Sequence, residues 1–484
     1  MQDFLINLFT EPDKAWSFVS IPFAVIFVLF FVIYIFIRQS SKTMMLVYTA
    51  TFSLFFAYKA NGTLMLLLPV TVVVSYYLTR HMDEREGSTR KWWMWLTVII
   101  DLLPLVYYKY TNFLIEIFNE MTASNFSPMS IILPVGISFY TFQAISYTVD
   151  VYKGRFTTEV SLLEYLFYLT FFPLLIAGPI TRAETLIPQI KHRYHINDQM
   201  VYTGLWLIMG GLLKKALIAD YIAQYNNWIF DDPTAYSGFE CLMGSLGYTL
   251  QIYCDFSGYS DISIGIASLL GITLKENFNY PYQSLNLQEF WHRWHISLST
   301  WFRDYVYIPL GGNRKGTWRT YFNNFVTMLV AGLWHGASWM FVIWGALHGV
   351  VLVIHKACKP WLDRIPNTWY VKLLSFLITF SFVNVAWIFF RAHDMSTAFA
   401  MLRTIVSDFS LDYLSPFVET RTMWVVFVAL GFALHAMRKR HVDRLKQLYI
   451  ESPYTLKLIL LFIVLQFVIN FRQSDIQPFI YAQF

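Results

Sequence analysis

Repeated runs of about twenty apolar residues, the length that crosses a bilayer as a helix, leave this chain few folds to choose from. The first, Phe18–Ile37, carries no charged side chain until Arg38. Others follow at Met44–Tyr58, Leu64–Leu78, Trp92–Tyr108, Ile131–Val149, Leu162–Ile176, Tyr202–Ile218 and Leu242–Leu274. The series closes with Ser338–Ile354, Val371–Phe390, Met423–Ala436 and Leu456–Ile469. In hydrocarbon every backbone N–H and C=O has to find its partner inside the protein, and runs of this length do so as helices. Only 14% of residues are charged, where a soluble domain has roughly 25%. The expectation is an all-α, polytopic integral membrane helix bundle, with about 11–13 membrane segments including re-entrant helices, around a central channel. Aromatic residues make up 19% of the chain, which suits ring belts at many membrane interfaces.

Three regions follow from this pattern: an interfacial amphipathic lead-in at 1–17, N-terminal transmembrane helices at 18–125, and a membrane core at 126–484. The lead-in mixes Asp3, Glu11, Asp13 and Lys14 with apolar residues, unlike the basic start of a cleavable signal. Basic clusters at Arg38/Lys42, Arg80/Arg85/Arg90/Lys91, Lys153/Arg155, Arg314/Lys315/Arg319 and Arg438/Lys439/Arg440/Arg444/Lys446 mark the cytoplasmic side. Arg182, Lys191 and Arg193 fit that scheme only if Leu162–Pro179 is re-entrant, as Pro173 and Gly178-Pro179 would permit. The net charge of +5 is modest and sits in loops, so it reads as topology rather than nucleic-acid binding. Cys241, Cys254 and Cys358 have neither disulfide-framework nor zinc spacing.

Against this background Trp334-His335-Gly336 stands out. His335 follows the apolar run Phe325–Leu333 and precedes another. An ionisable ring in hydrocarbon is costly and marks a functional site, and imidazole is the side chain suited to proton transfer near neutrality. The other reading is a neutral histidine hydrogen-bonded inside a bundle. From the basic loop at Arg319 to His335 there are about 15 residues, or ~22 Å of helix, short of the ~30 Å hydrocarbon layer. That predicts a half-helix at Tyr321–Leu333 ending at His335 inside the membrane.

The stretch Glu289–Tyr305 is too polar to span. As one continuous helix it would put His292, His295 and Ser299 on a common face; the alternative is an interfacial aromatic belt. The histidine pairs His292/His295 and His192/His195 do not make a three-ligand metal set, so no metal is expected. Asp255 and Asp261 lie inside an apolar stretch, where carboxylates face a cavity or a partner; a helix-packing cluster with Ser257, Gly258 and Ser260 is the other option. Asp101 and Glu164 read as structural pairs, and Lys214 and Lys215 as side chains snorkelling to the surface. The turn Tyr307–Gly316 is glycine-rich and basic, able to cradle an anion or simply to be a solvated loop.

At these residues the chain resembles the membrane-bound O-acyltransferase (MBOAT) family, in its bacterial polysaccharide-acetylating branch typified by alginate O-acetylation. The resemblance rests on Phe290–Ser299, Tyr307–Arg314, Leu333–Gly336 and Pro478–Tyr481. Pro134–Phe139, Ala177–Ile180, Asp255–Asp261 and Asn277–Tyr282 add to it, so that it extends from about residue 130 to the end. His292 departs from the pattern, where Arg or Asn would be expected. The resemblance implies that His335 is the essential histidine and His295, 40 residues upstream, the second polar member of the pair. Asp255, Trp334, Ser299 and Trp339 would then support a substrate channel, and Arg303, Asn313 and Arg314 would bind the donor.

By the same resemblance the activity is an O-acyl, and in particular acetyl, transfer. It would run from a cytoplasmic thioester donor, acetyl-CoA, to hydroxyls of an extracytoplasmic polysaccharide or to a relay partner protein, with no permanently bound cofactor. The setting is the bacterial cytoplasmic (inner) membrane, with the lipid bilayer as the other partner and no nucleic acid. D-alanyl transfer to a cell-envelope polymer is the alternative within the family. A transporter or flippase of an acyl or glycan carrier is the alternative from another class.

Overall fold

The protein is described from a computed structural model, which covers residues 16–176, 178–191 and 196–471. Among the described residues it is helical and contains no strand. Among the described residues seven helical stretches are long and apolar enough to cross a membrane, or eight if Leu411–Thr420 and Thr422–Ala436, bent by 101°, count as one broken span. Other expected segments merge or break for physical reasons. Met44–Tyr58 and Leu64–Leu78 belong to one stretch, Lys42–Asp83, interrupted where Gly62 turns to φ 56°. Leu162–Ile176 is a broken pair of helices of nine and four residues, as its proline suggested. The lead-in before residue 16, Ala177, His192, His195 and the Pro478–Tyr481 motif lie outside the described residues.

The chain packs as two units, one running to Gly204 with Ser263–Lys275, the other made of Leu205–Ile262 and the residues from Glu276 on. The first contains α1 (Ile21–Ser40), α2 (Lys42–Asn61), α3 (Leu67–Asp83), α4 (Gly87–Leu105), α5 (Thr111–Thr122), α6 (Ile137–Tyr152), α7 (Leu162–Thr170), α8 (Phe172–Leu175) and α9 (Ala183–Lys191). Phe172 in α8 is its aromatic hub, 4.9 Å from the Phe52 ring and 5.6 Å from Phe30. The two carboxylates expected to be structural are so. Asp101 accepts from Ser75 Oγ at 3.1 Å. Glu164 closes a capping box with Ser161 and pairs with Lys42 at 2.7 Å.

The second unit takes up the chain within α10 (Asp198–Leu212) and continues through α11 (Asp220–Asp231) and most of α12 (Gly238–Leu269). Two short helices follow, α13 (Leu287–Arg293) and α14 (Ile296–Phe302), then α15 (Thr317–His335), α16 (Trp339–Leu362) and α17 (Trp369–Arg391). The last five are α18 (Met395–Ser407), α19 (Leu414–Thr420), α20 (Thr422–Ala436), α21 (Lys439–Glu451) and α22 (Tyr454–Phe471). Helix α22 leaves Phe462, Phe467 and Ile469 exposed, an all-round apolar surface of the kind that faces lipid.

Helices α15 and α16 form a tight hairpin, and glycine makes it possible. A Cβ on Gly332 would stand 2.2 Å from the Phe341 carbonyl oxygen, and one on Gly345 would stand 2.5 Å from that of Met328. Small residues at these facing positions let the backbones approach. Helix α15 is also longer than the expected half-helix: its 19 residues measure about 28 Å. The chain enters it at Thr317, so Arg319, read as part of the basic loop, lies in its first turn.

Lys215 does not snorkel. It lies in a π-helical stretch, Leu213–Ala219, with 1% of its surface exposed. Its ammonium is 2.8 Å from Asp220 and 2.5 Å from Asp255. Burying a lysine needs paired carboxylates, and the second charge came from Asp255, two helices on. Lys214, more exposed, pairs with Asp261 at 2.5 Å.

Candidate active site

His335 is the last residue of α15, where Gly336 takes up extended backbone (φ −162°) and the chain turns back. Ser338 restarts it, accepting from Met340 N at 3.2 Å as the cap of α16. The imidazole is 2% exposed. It is walled by aromatic edges: Trp334 and Trp344 at 5.0 Å, the latter at 86°, and Phe390 of α17 at 5.3 Å. Behind them Trp344 stacks at 5.8 Å on Trp387, which also meets Trp294 at 5.0 Å. A proton acceptor in such a box is shielded from bulk water and faces a low dielectric, where electrostatic interactions are strong.

His295 reaches the same region by a different local device. Glu289–Tyr305 is not one helix: α13 ends at Arg293, Trp294 is extended, and His295 sits at φ 41° before α14 begins. A non-glycine residue in the left-handed region is unusual, and such strain is held by surrounding structure. Here the clamp is the Asn277–Asn279 segment. Asn277 accepts Ile296 N at 2.9 Å and Ser297 N at 3.0 Å, and Asn279 N donates to Arg293 O at 2.9 Å. The break corrects the common face expected for His292, His295 and Ser299. His292 is exposed and lines the cavity described below with Ser299, whereas His295 is wholly buried.

The His295 ring stands edge-on to Phe256 at 4.5 Å and lies 6.2 Å from Trp334. Its Nδ1 is 3.4 Å from Ser297 Oγ. Burial pushes its imidazole down to about 3, so the ring is neutral near pH 7. Trp334 thus bridges two buried imidazoles, His295 on one side and His335, its chain neighbour, on the other.

A cavity of about 420 Å³ lies beside this cluster, its lining reaching Ala331, one helix turn before His335, but neither imidazole. One wall is a stripe of α15, Asn324, Thr327, Met328 and Ala331, whose helical spacing continues to His335. The opposite wall includes Trp291, Ile296 and Ser299, and the mouth carries His292, Arg303 and Lys356. Ser299 Oγ donates to Trp294 O at 3.1 Å. Arg303 is exposed and pairs with Asp304 at 2.8 Å.

The structure therefore brings His335, His295 and Trp334 into one buried cluster, and Ser299 and Arg303 to the wall of the neighbouring cavity. It does not bring Asn313 and Arg314 to the cavity wall; both are exposed on the turn before α15. Trp339 is 47% exposed at the start of α16. Asp255, one residue from Phe256, is engaged by Lys215. Sequence reasoning missed Lys356, Trp344 and Phe390. Lys356 was legible only through the α16 stripe Leu352/Lys356, which faces the cavity.

Comparison with known proteins decides the lineage. Residues 155–395 match the membrane-bound O-acyltransferase family. The chain is 42% identical over 371 residues to a probable alginate O-acetylase AlgI of Azotobacter vinelandii, covering 75% of this chain and 72% of that protein. The chain belongs to the MBOAT family. It is also 38% identical to the peptidoglycan O-acetyltransferase of Helicobacter pylori over 73% of this chain and 72% of that one. To the teichoic acid D-alanyltransferase of Bacillus subtilis it is 28% identical, over 68% and 85%. With its apolar spans and bacterial relatives, this MBOAT enzyme is a multi-pass protein of a bacterial cytoplasmic membrane. It is an O-acyltransferase, moving an acyl group to a hydroxyl.

Proposed function

We propose that this MBOAT enzyme transfers acetyl from a cytoplasmic thioester, acetyl-CoA, towards hydroxyls of an extracytoplasmic polysaccharide, with His335 as the general base and residues 126–484 as its acyltransferase core. The observation that carries this reading is the α15 stripe, which lines a cavity of about 420 Å³ and ends in the buried imidazole of His335. The acceptor oxygen attacks the thioester carbonyl as the imidazole takes its proton. The C–S bond then breaks, and the proton passes from the imidazolium to the departing thiolate. His295 orients the acceptor or stabilises the oxyanion, Trp334 and Trp339 shape the channel, and Asp255 anchors the helix that carries Phe256 against His295. The acetyl specificity is supported by the alginate and peptidoglycan O-acetylating relatives. A relay protein on the far side completes delivery to the polymer. Purified enzyme incubated with acetyl-labelled coenzyme A should release free thiol and pass label to an acceptor; passage of an unaltered carrier across vesicles, with no thiol released, would replace this reading by transport.

His295 offers a test of side chain against backbone. Its φ of 41° suits glycine, so His295→Gly should keep the turn, lose stability only through the space the ring vacates, and lower kcat about tenfold or more, in the range of a lost charge-assisted contact. His295→Ala, strained at that φ, should lose stability as well. Thermal melts beside kcat for both variants check this; equal activity in His295→Gly and wild type would remove His295 from the reaction.

The donor's phosphates meet Arg303 and Lys356 at the cavity mouth. Charge reversal at both should raise the donor KM about tenfold, from exposed contacts of roughly 0.2–1 kcal/mol each, with kcat little changed. An initial-rate series at varied donor decides it, and the same reversals at Arg314 and Lys315, exposed away from the cavity wall, should leave KM unaltered.

A further inference from the structure

His348 lies on α16 one turn inward from Leu352 and two from Lys356, on the same face of the helix. The two outer residues line the cavity, while His348 is fully buried. Its ring is 4.7 Å from Trp344, 5.2 Å from Trp291 and 5.3 Å from Phe382. Trp291 shows one side to the cavity and packs its ring on both His348 and Trp344. Both ring nitrogens of His348, and the indole nitrogens of Trp291 and Trp344, are buried without a hydrogen-bond partner among the described residues. One such orphan is rare enough to need a reason, since a buried unsatisfied polar group is costly. Three neighbouring side chains in that state form a recess with several donors and one acceptor, and they lie one indole away from His335, whose ring is 5.0 Å from Trp344.

We propose that this recess binds the secondary amide nearest the sulfur in the arm of the acyl thioester donor, a proposal that rests on the thioester reading above. An amide is the group that fits: its carbonyl oxygen accepts from the indole N–H of Trp291 or Trp344 or from the imidazole N–H, and its own N–H donates to the other imidazole nitrogen. The spacing also agrees. In such an arm the amide nitrogen follows the thioester carbon by four single bonds, roughly 5 Å at ordinary bond lengths, and Trp344 is the ring that touches both His335 and His348. The Trp291 indole turns aside to admit the arm, which exposes the recess to the cavity. His348 is thus a donor-binding residue whose contact lies beyond the reacting atoms and sets them in register with His335.

The test compares two small acetyl thioesters, S-acetyl-N-acetylcysteamine, which carries the amide, and S-ethyl thioacetate, which lacks it. Wild-type enzyme should prefer the first in kcat/KM. In His348→Phe, which keeps the ring packing, that preference should fall about five- to tenfold, the worth of a hydrogen bond or two, with the rate on S-ethyl thioacetate unchanged. Trp291→Phe, which removes only the indole donor, should lose part of the same preference and provides the measurement if His348→Phe does not fold. A variant that slows both thioesters equally, or neither, overturns the amide site while leaving the thioester reading in place. Failure of the wild type to turn over either thioester or acetyl-CoA would instead remove the reading on which the site depends.

Discussion

In enzyme that still inserts and folds, His335→Ala is expected to lower acyl transfer by about 10²–10⁴-fold, the usual contribution of a general base, with donor KM close to wild type. The cavity wall explains the split between the two constants. Asn324, Thr327, Met328 and Ala331 line the cavity, and none of them is altered, so on the proposed reading ground-state binding survives while the proton acceptor is gone. Truncation also empties space between Trp344 and Phe390, each within 5.3 Å of the ring, which costs packing of its own. His335→Gln therefore belongs beside it: it fills more of the box and keeps a polar end, yet no longer cycles a proton near neutrality. Both variants should show this loss, and the glutamine one should be the more stable. Acetyl transfer at the wild-type rate by either, in protein shown to be folded, would end the general-base role.

Much of this was legible in the residues. The apolar runs dictated a helical membrane protein, because hydrocarbon leaves the backbone no other solution. His335 was visible because an ionisable ring between two apolar runs is costly wherever it faces lipid, and the flanking Gly332 and Gly336 marked the close approach that ends its helix. What stayed hidden depended on three-dimensional company. Periodicity alone makes Glu289–Tyr305 one helix, and nothing local in Trp294-His295 announces the left-handed turn; it is Asn277, some twenty residues earlier, that holds it open. The same break separates His292 from His295, which a helical wheel had joined. Arg314 and Lys315 drew attention as a cluster in sequence, but the cavity mouth takes its cations from Arg303 and Lys356, on elements more than fifty residues apart. Leu162–Ile176 is a further case: hydropathy marks a single apolar run, whereas it folds as two short helices with Pro173 opening the second.

Lys215 carries the last and most severe expectation for stability. Its ammonium is buried between Asp220 and Asp255, so Lys215→Met leaves two carboxylates enclosed with no cation. Removing one partner of a buried pair costs about 3–5 kcal/mol because the charge left behind remains desolvated. The variant should therefore melt well below wild type in detergent, or fail to accumulate in membranes. The consequence reaches the site through one helix turn. Asp255 precedes Phe256, and the Phe256 ring backs His295 at 4.5 Å, so any shift of α12 that relieves the stranded carboxylate moves the wall of the imidazole. Neutralising the survivors distinguishes charge from shape: Lys215→Met combined with Asp220→Asn and Asp255→Asn removes every stranded charge and should recover most of the lost stability, as apolar or neutral replacements of whole buried ion clusters do. If the triple variant is no more stable than Lys215→Met alone, the triad acts through packing, and Asp255 has no electrostatic part in holding His295 in place.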